Sequence, residues 1–252
     1  MLDLVPWPAG LVIALAACVV GCQRGTGEAE TAPAASPSTI AQAFVPEVSL
    51  AEQVAQVRAG KSVEVRLERT AISSTDLAQL AQLTELRTLI LDAGRVRDED
   101  VHLLAGLSGL EHLRLRESPL SDVGLAELSR CGLASLVILN VPQATPTAAG
   151  LKELRRLPRV RQLRIAGKQI DDAAVKELAE WPELTSIHLI GPSLSDRSLE
   201  TIASMTELAS FYLDDCPLSD AAWERLFRAR PTLHVHIDQF HHDHDPNTNA
   251  TH

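Results

Sequence analysis

Leucine recurs along this chain on a near-fixed period, and that period leaves few folds open. The phrase L-x-x-L-x-L-x-x-x-x-L opens at Leu86 (Leu89, Leu91, Val96) and again at Leu110 (Leu113, Leu115, Leu120). It returns at Val160 (Leu163, Ile165, Ile170), Leu184 (Ile187, Leu189, Leu194) and Leu208 (Phe211, Leu213, Leu218). A degenerate copy starts at Leu136, with Pro146 in its last apolar slot, and a weaker one at Ser62. The starts fall at 62, 86, 110, 136, 160, 184, 208 and 233, so the step is 24 residues, once 26 and once 25. A period in this range is the signature of a solenoid, in which each unit buries its apolar face only by stacking on its neighbours. Such a fold acts through an extended surface.

Each unit reads as a strand, a turn and a helix. The alternation around Leu86, Leu89 and Leu91 suits a short strand, with Thr88 and Ile90 expected on its outer side. Ser73, Ser121, Thr147, Asp171, Ser195 and Ser219 share one position after the strand, where a hydroxyl or carboxylate accepts from free amides of a first helical turn. Arg97 breaks that set, and Asp98 is the substitute. Apolar pairs three apart follow, among them Leu77/Leu80, Leu125/Leu128 and Leu199/Ile202, and mark one helix face. Together these features resemble the leucine-rich repeat family, over about residues 60 to 238. The Ser121-Asp122-Val123-Gly124-Leu125 form is similar to the short helical repeats of its cysteine-containing and ribonuclease-inhibitor-like classes. The resemblance implies an α/β solenoid of about seven repeats plus caps, with a curved parallel sheet inside and helices outside. It also implies an Asn or Cys ladder at the ninth repeat position. Here that position holds Thr70, Gly94, Ser118, Ala144, Lys168, Pro192 and Cys216, and only Cys216 matches.

The expected organisation has five parts. Residues 1–21 read as a lipoprotein-type signal peptide, because Ala9 to Gly21 is an apolar run too short to span a bilayer as a helix and of a length that suits an h-region; an uncleaved apolar N-terminus is the other reading. Val19-Val20-Gly21-Cys22 resembles a bacterial lipobox, and Leu15-Ala16-Ala17-Cys18 is the alternative. Residues 22–46, rich in Ala, Pro, Ser, Thr and Glu, read as a flexible tether. A capping helix is expected in 47–61, the repeats in 62–238, and a disordered His/Asp-rich tail in 239–252. The localisation that follows is the bacterial envelope, with a membrane lipid anchor.

Charge and composition narrow the function. A net charge of −10 argues against nucleic acid, whose phosphates need a basic field. No nucleophile elbow, Walker loop, dinucleotide fingerprint or HExxH motif is present, so a non-catalytic, monomeric binding module is expected. Cys131 and Cys216 lie several repeats apart and read as buried thiols. In the family the exposed strand residues of the concave face bind a protein or other large ligand. That face would carry Arg66, Ile90, Arg114, Asn140, Arg164, His188 and Tyr212 as its central column, flanked by Arg87, Glu111, His112, Arg116, Arg161 and Asp214. Arginine and tyrosine suit binding hot spots, so the expected partner is a protein or anionic polymer. Two alternatives remain. One is metal binding by the tail, where His241, His242 and His244 alternate with Asp243 and Asp245. Imidazole and carboxylate suit zinc, nickel or copper there, with adventitious occupancy expected and no dedicated cofactor. The other is a substrate-adaptor role like that of related repeats.

Overall fold

The computed structural model describes residues 47–241, with the side chain of His241 outside that description. The signal-peptide, lipobox and tether readings, Cys18 and Cys22 included, lie outside the described residues, as do His242 and His244.

Each repeat folds as its pattern dictates. The strands are β1 (Glu64–Leu67), β2 (Thr88–Leu91), β3 (His112–Leu115), β4 (Ile138–Val141), β5 (Gln162–Ala166), β6 (Ser186–Ile190), β7 (Ser210–Asp214) and β8 (His234–Ile237). They pair in sequence order, all parallel, and a ninth strand, β9 (Phe240–His241), returns antiparallel on β8. The helices between them are α2 (Ser74–Leu80), α3 (Asp122–Arg130), α4 (Ala148–Leu154), α5 (Asp172–Ala179), α6 (Arg197–Ser204) and α7 (Asp220–Ala229). One connection is a 3₁₀ helix at Asp98–Leu104.

The leucine register becomes the core. Val65, Leu89, Leu113, Leu139, Leu163, Ile187, Phe211 and Val235 occupy one strand position in successive repeats, and all are fully buried. Helix residues such as Leu80, Leu104, Leu128, Leu154, Leu178 and Ile202 close the layer from the other side. Pro146 is buried in the slot left by the missing apolar residue. The two extra residues of the third connection, between β3 and β4, are absorbed at a turn through Gly132 (φ 71°). The strand pairing His112↔Ile138 continues across it without a slip.

Both ends of the sheet are closed. α1 (Leu50–Arg58), capped by Ser49, buries Val54 and Val57 at the first repeat. Its Gln53 side chain acts as a surrogate strand: Arg66 N donates to Gln53 Oε1 at 2.7 Å, and Gln53 Nε2 donates to Arg66 O at 2.8 Å. Glu47 continues the seal, accepting from Glu68 N, from Arg69 N and from the Thr70 hydroxyl. An open edge would invite another chain to pair. At the far end β9 covers β8, so residues 239–241 belong to the fold and not to a disordered tail.

Two sequence expectations shift at the helix starts. Asp98 does not cap its own helix: Arg97 stands at the cap without a side-chain hydrogen bond. α6 begins one residue late, after Asp196, although the Ser195 hydroxyl still accepts from Arg197 N at 3.3 Å.

The residues missing from the ninth-position ladder are replaced by another. The Asp98 carboxylate accepts from Ser121 N (2.9 Å) and from the Ser121 hydroxyl. Asp122 does the same for Thr147 (2.8 and 2.6 Å) and Asp196 for Ser219 (3.0 and 2.6 Å). Asp172 holds Ser195 N at 2.8 Å, and the hydroxyls of both Ser195 and Ser198. In four repeats an aspartate therefore ties its helix start to the next. The glycine of the S-D-x-G motif is the other half of this arrangement, because a Cβ on Gly124 or Gly150 would collide with the Asp98 or Asp122 carboxylate.

Candidate functional site

Because strand side chains alternate between faces, the sheet presents one face to the helices and one open face. The register places Arg66, Ile90, Arg114, Asn140, Arg164, His188 and Tyr212 side by side on the open face, one per strand. The line runs on to His236 of β8, which the sequence reading left out. Its signal was present: Leu233, Val235 and Ile237 turn inward, so His234 and His236 must turn outward.

Two members of the column are not available as surface. Ile90 is 1% exposed and Asn140 3%. Each is a short side chain between two arginines, Arg66 and Arg114 in one case, Arg114 and Arg164 in the other. At the strand spacing of about 4.8 Å the longer neighbours close over them. The expectation that Ile90 faces solvent is corrected accordingly.

The three arginines have unlike surroundings. Arg66 is exposed and held between Glu64 and Glu68, at 2.7 and 3.4 Å. Arg114 is gripped by the Asp92 carboxylate, through Nε at 2.6 Å and through Nη2, with Arg116 adding a third contact at 3.5 Å. Arg164 makes no ion pair among the described residues, and its Nε is buried without a hydrogen-bond partner. Burial, aided by the nearby charges of Arg116 and Arg114, lowers its pKa against the pull of Asp214. The uniform basic lane expected from sequence is thus two neutralised arginines and one unpaired guanidinium.

Strands β4, β6 and β7 hold further unsatisfied groups. The Asn140 Oδ1, the Ser186 Oγ and the Asp214 Oδ1 are buried without a hydrogen-bond partner. Asn140, Ser186 and Asp214 are 3, 8 and 6% exposed. Desolvation raises the Asp214 pKa, but the hydrogen bond and charge of His188 and further contacts outweigh it and hold the carboxyl low. The other Asp214 oxygen lies 2.8 Å from His188 Nε2. His112, at the other side of the column, has its pKa lowered by burial and by the charges of Arg114 and Arg66.

The flanking residues divide by role. Arg87 donates to Gly109 O at 2.8 Å and serves the turn of the next repeat. Arg161 is paired with Glu183 at 2.9 Å. Cys131 and Cys216 are both buried and free, as expected. Beyond the arginines the face becomes aromatic: Tyr212 packs against His188, His234 and His236, at ring centroid distances of 5.4, 5.8 and 4.6 Å. Among the described residues no group of three metal-ligating side chains converges. Among them, too, no helix is long and apolar enough to cross a membrane.

Eight parallel strands in sequence order, each followed by a helix or turn on one side and stacked on a continuous leucine core, define a leucine-rich repeat solenoid. The solved structures it resembles are of the same class. An internalin C2 from Listeria monocytogenes superposes with a TM-score of 0.50 at 22% identity, over 72% of this chain and 73% of that one. A second internalin from the same organism gives 0.55 at 18% identity, over 75% of this chain and 51% of that one. A leucine-rich repeat protein from Leptospira interrogans gives 0.47 at 18% identity, over 73% and 50% of the two chains. No protein-family model and no curated protein sequence matches the chain.

Proposed function

We propose that this protein is a lipid-anchored, non-catalytic binding module of the bacterial envelope, and that the middle of its open sheet face grips an extended polypeptide. One observation carries the reading: Arg164, on the open face, has no ion-pair partner among the described residues, whereas Arg66 and Arg114 on the same line are held by carboxylates. A carboxylate or carbonyl oxygen of a ligand would accept from that guanidinium. Arginine can only donate and a carboxylate only accept. A ligand that spans Arg164 and Asp214 therefore needs both acceptors and donors, as a peptide backbone has. An anionic polymer would satisfy Arg164 but would be repelled at Asp214.

The anchor reading rests on the Val19-Val20-Gly21-Cys22 motif, with Cys18 as the alternative acylation site, followed by a tether of 22–46. A lipid on that cysteine would hold the repeats at the envelope, where partners arrive by lateral encounter. A fatty-acid analogue fed to cells should label the wild type and not Cys22→Ala. Label surviving in Cys22→Ala but lost in Cys18→Ala would move the site, and no label at all would end the anchor reading.

The binding reading is tested by capture from native envelope with purified repeats. Arg164→Glu should fold and lose the captured protein, whereas Arg66→Glu, already neutralised by two glutamates, should retain it. Equal capture by wild type and Arg164→Glu would place the interface elsewhere. Recovery of a polysaccharide in place of a protein would favour the anionic-polymer alternative.

A further inference from the structure

At the C-terminal end of the open face stands a group that peptide binding does not explain. β8 carries His234 and His236, two residues apart and so on one side of the strand. Their Nε2 atoms are 2.8 Å apart. The ring centroids are 4.6 Å apart and the planes inclined by 62°. A collinear ring-to-ring hydrogen bond at that nitrogen separation would hold the centroids farther apart, so the two rings meet at a bend. Tyr212 packs on the pair from the neighbouring strand, and both histidines are half-buried.

Two imidazole nitrogens this close can close on one ion, and nitrogen donors bind copper(II) more tightly than zinc. Two imidazole nitrogens each about 2.0 Å from one ion lie about 2.8 Å apart when they take adjacent corners of a square, and about 3.3 Å apart in a tetrahedron. The observed 2.8 Å is that of a ring-to-ring hydrogen bond, whose proton a metal ion would displace. Imidazole nitrogens in tetragonal geometry are the preference of copper(II) and nickel(II). Proximity on a strand supplies the rest: both donors are held by a backbone that is paired on both sides, by β7 and by β9. Little side-chain freedom is then left to lose on chelation.

We propose that His234 and His236 form a two-nitrogen chelate for a divalent tetragonal metal ion, copper(II) in preference to zinc. The site differs from metal capture by the histidine-rich tail, because its donors sit on a strand of the repeat fold. β9 brings His241 into register with His236. The proposal is independent of the peptide-binding reading, since its donors are neither Arg164 nor Asp214.

Copper(II) alone is the probe, titrated into the full chain and followed by electron paramagnetic resonance and by affinity. The expected result is one tight equivalent with the signature of two imidazole nitrogens, retained in a His241→Gln/His242→Gln/His244→Gln variant. His234→Gln and His236→Gln should each weaken binding by more than the roughly tenfold loss typical of a supporting partner, with the apo melting temperature unchanged. Unchanged affinity in both single variants, or loss of the two-nitrogen signal in the tail variant alone, would overturn the site. Should either variant misfold, proton resonances of the wild type decide. Copper should broaden the His234 and His236 ring signals first, and broadening confined to the last residues would assign binding to the tail.

Discussion

Asp122 and Gly150 are one device split between two repeats. The aspartate carboxylate reaches across to the N–H and hydroxyl of Thr147, at 2.8 and 2.6 Å, and the absence of a Cβ on Gly150 leaves it room. Asp98 and Gly124 repeat the arrangement one step earlier. Where the aspartate is missing, at Ala148, the next repeat carries Ala174 at the glycine position. After Asp172 that position is Ser198, whose hydroxyl joins the carboxylate.

The sign of a glycine substitution follows. Replacing a mid-helix glycine with alanine normally stabilises by up to about 1 kcal/mol. Gly150→Ala should instead destabilise by about 1–3 kcal/mol, the usual range for overpacking. In an Asp122→Ala background the same change should become neutral or favourable. Urea unfolding of the double-mutant cycle measures this, and additive effects would contradict it.

The three arginines of the open face should separate in stability as they do in surroundings. Arg114→Ala leaves the Asp92 carboxylate, 8% exposed, without its main partner. Breaking a buried pair costs about 3–5 kcal/mol, and Arg116 at 3.5 Å offsets part of that, so a loss near 3 kcal/mol is expected. Arg66→Ala removes only exposed pairs and should cost less than about 1 kcal/mol. Thermal melts of the two variants decide, and equal losses would refute the distinction.

Stability should fall in mild acid because of His112. Its folded pKa is lowered by burial and by Arg114 and Arg66, so the unfolded chain takes up a proton before the folded one does. Stability is then full above the unfolded histidine value of about 6.5. It is lost progressively as pH falls through that value towards the lower folded one. His112→Gln should flatten this part of the profile in denaturant titrations between pH 7 and 5. A second decline belongs to Asp172 and Asp214, both held low. Their contribution is complete above the unfolded carboxylate value of about 4 and disappears as pH falls through their folded values.

Cys131 should be inert while the protein is folded. Burial, with the Glu127 charge adding to it, pushes its thiol up to about 11, and the thiolate is the reacting species. Alkylation at pH 7.5 should be far slower in native protein than in urea. Rapid native modification of Cys131 by iodoacetamide, read by mass spectrometry, would show that this repeat opens locally.

The repeat register was legible from sequence because it rests on local rules. A 24-residue step, strand alternation and capping hydroxyls each act within one repeat, so the buried column from Val65 to Val235 and the open-face line from Arg66 to Tyr212 follow from counting. What faces what between repeats was not legible. The ninth-position ladder implied by the resemblance gave way to aspartates at the helix starts, because a hydrogen bond between residues 23 to 26 apart leaves no mark in either repeat alone. Likewise Ile90 and Asn140 sit where exposure was expected, yet their longer neighbours cover them. Arg66, Arg114 and Arg164 are equivalent as letters, but only the folded chain distributes carboxylates to two of them and leaves the third bare. Sequence by itself determined the solenoid, since periodic burial is additive along the chain. Tertiary structure decided the site, since charge pairing and desolvation depend on neighbours that sequence spacing does not order.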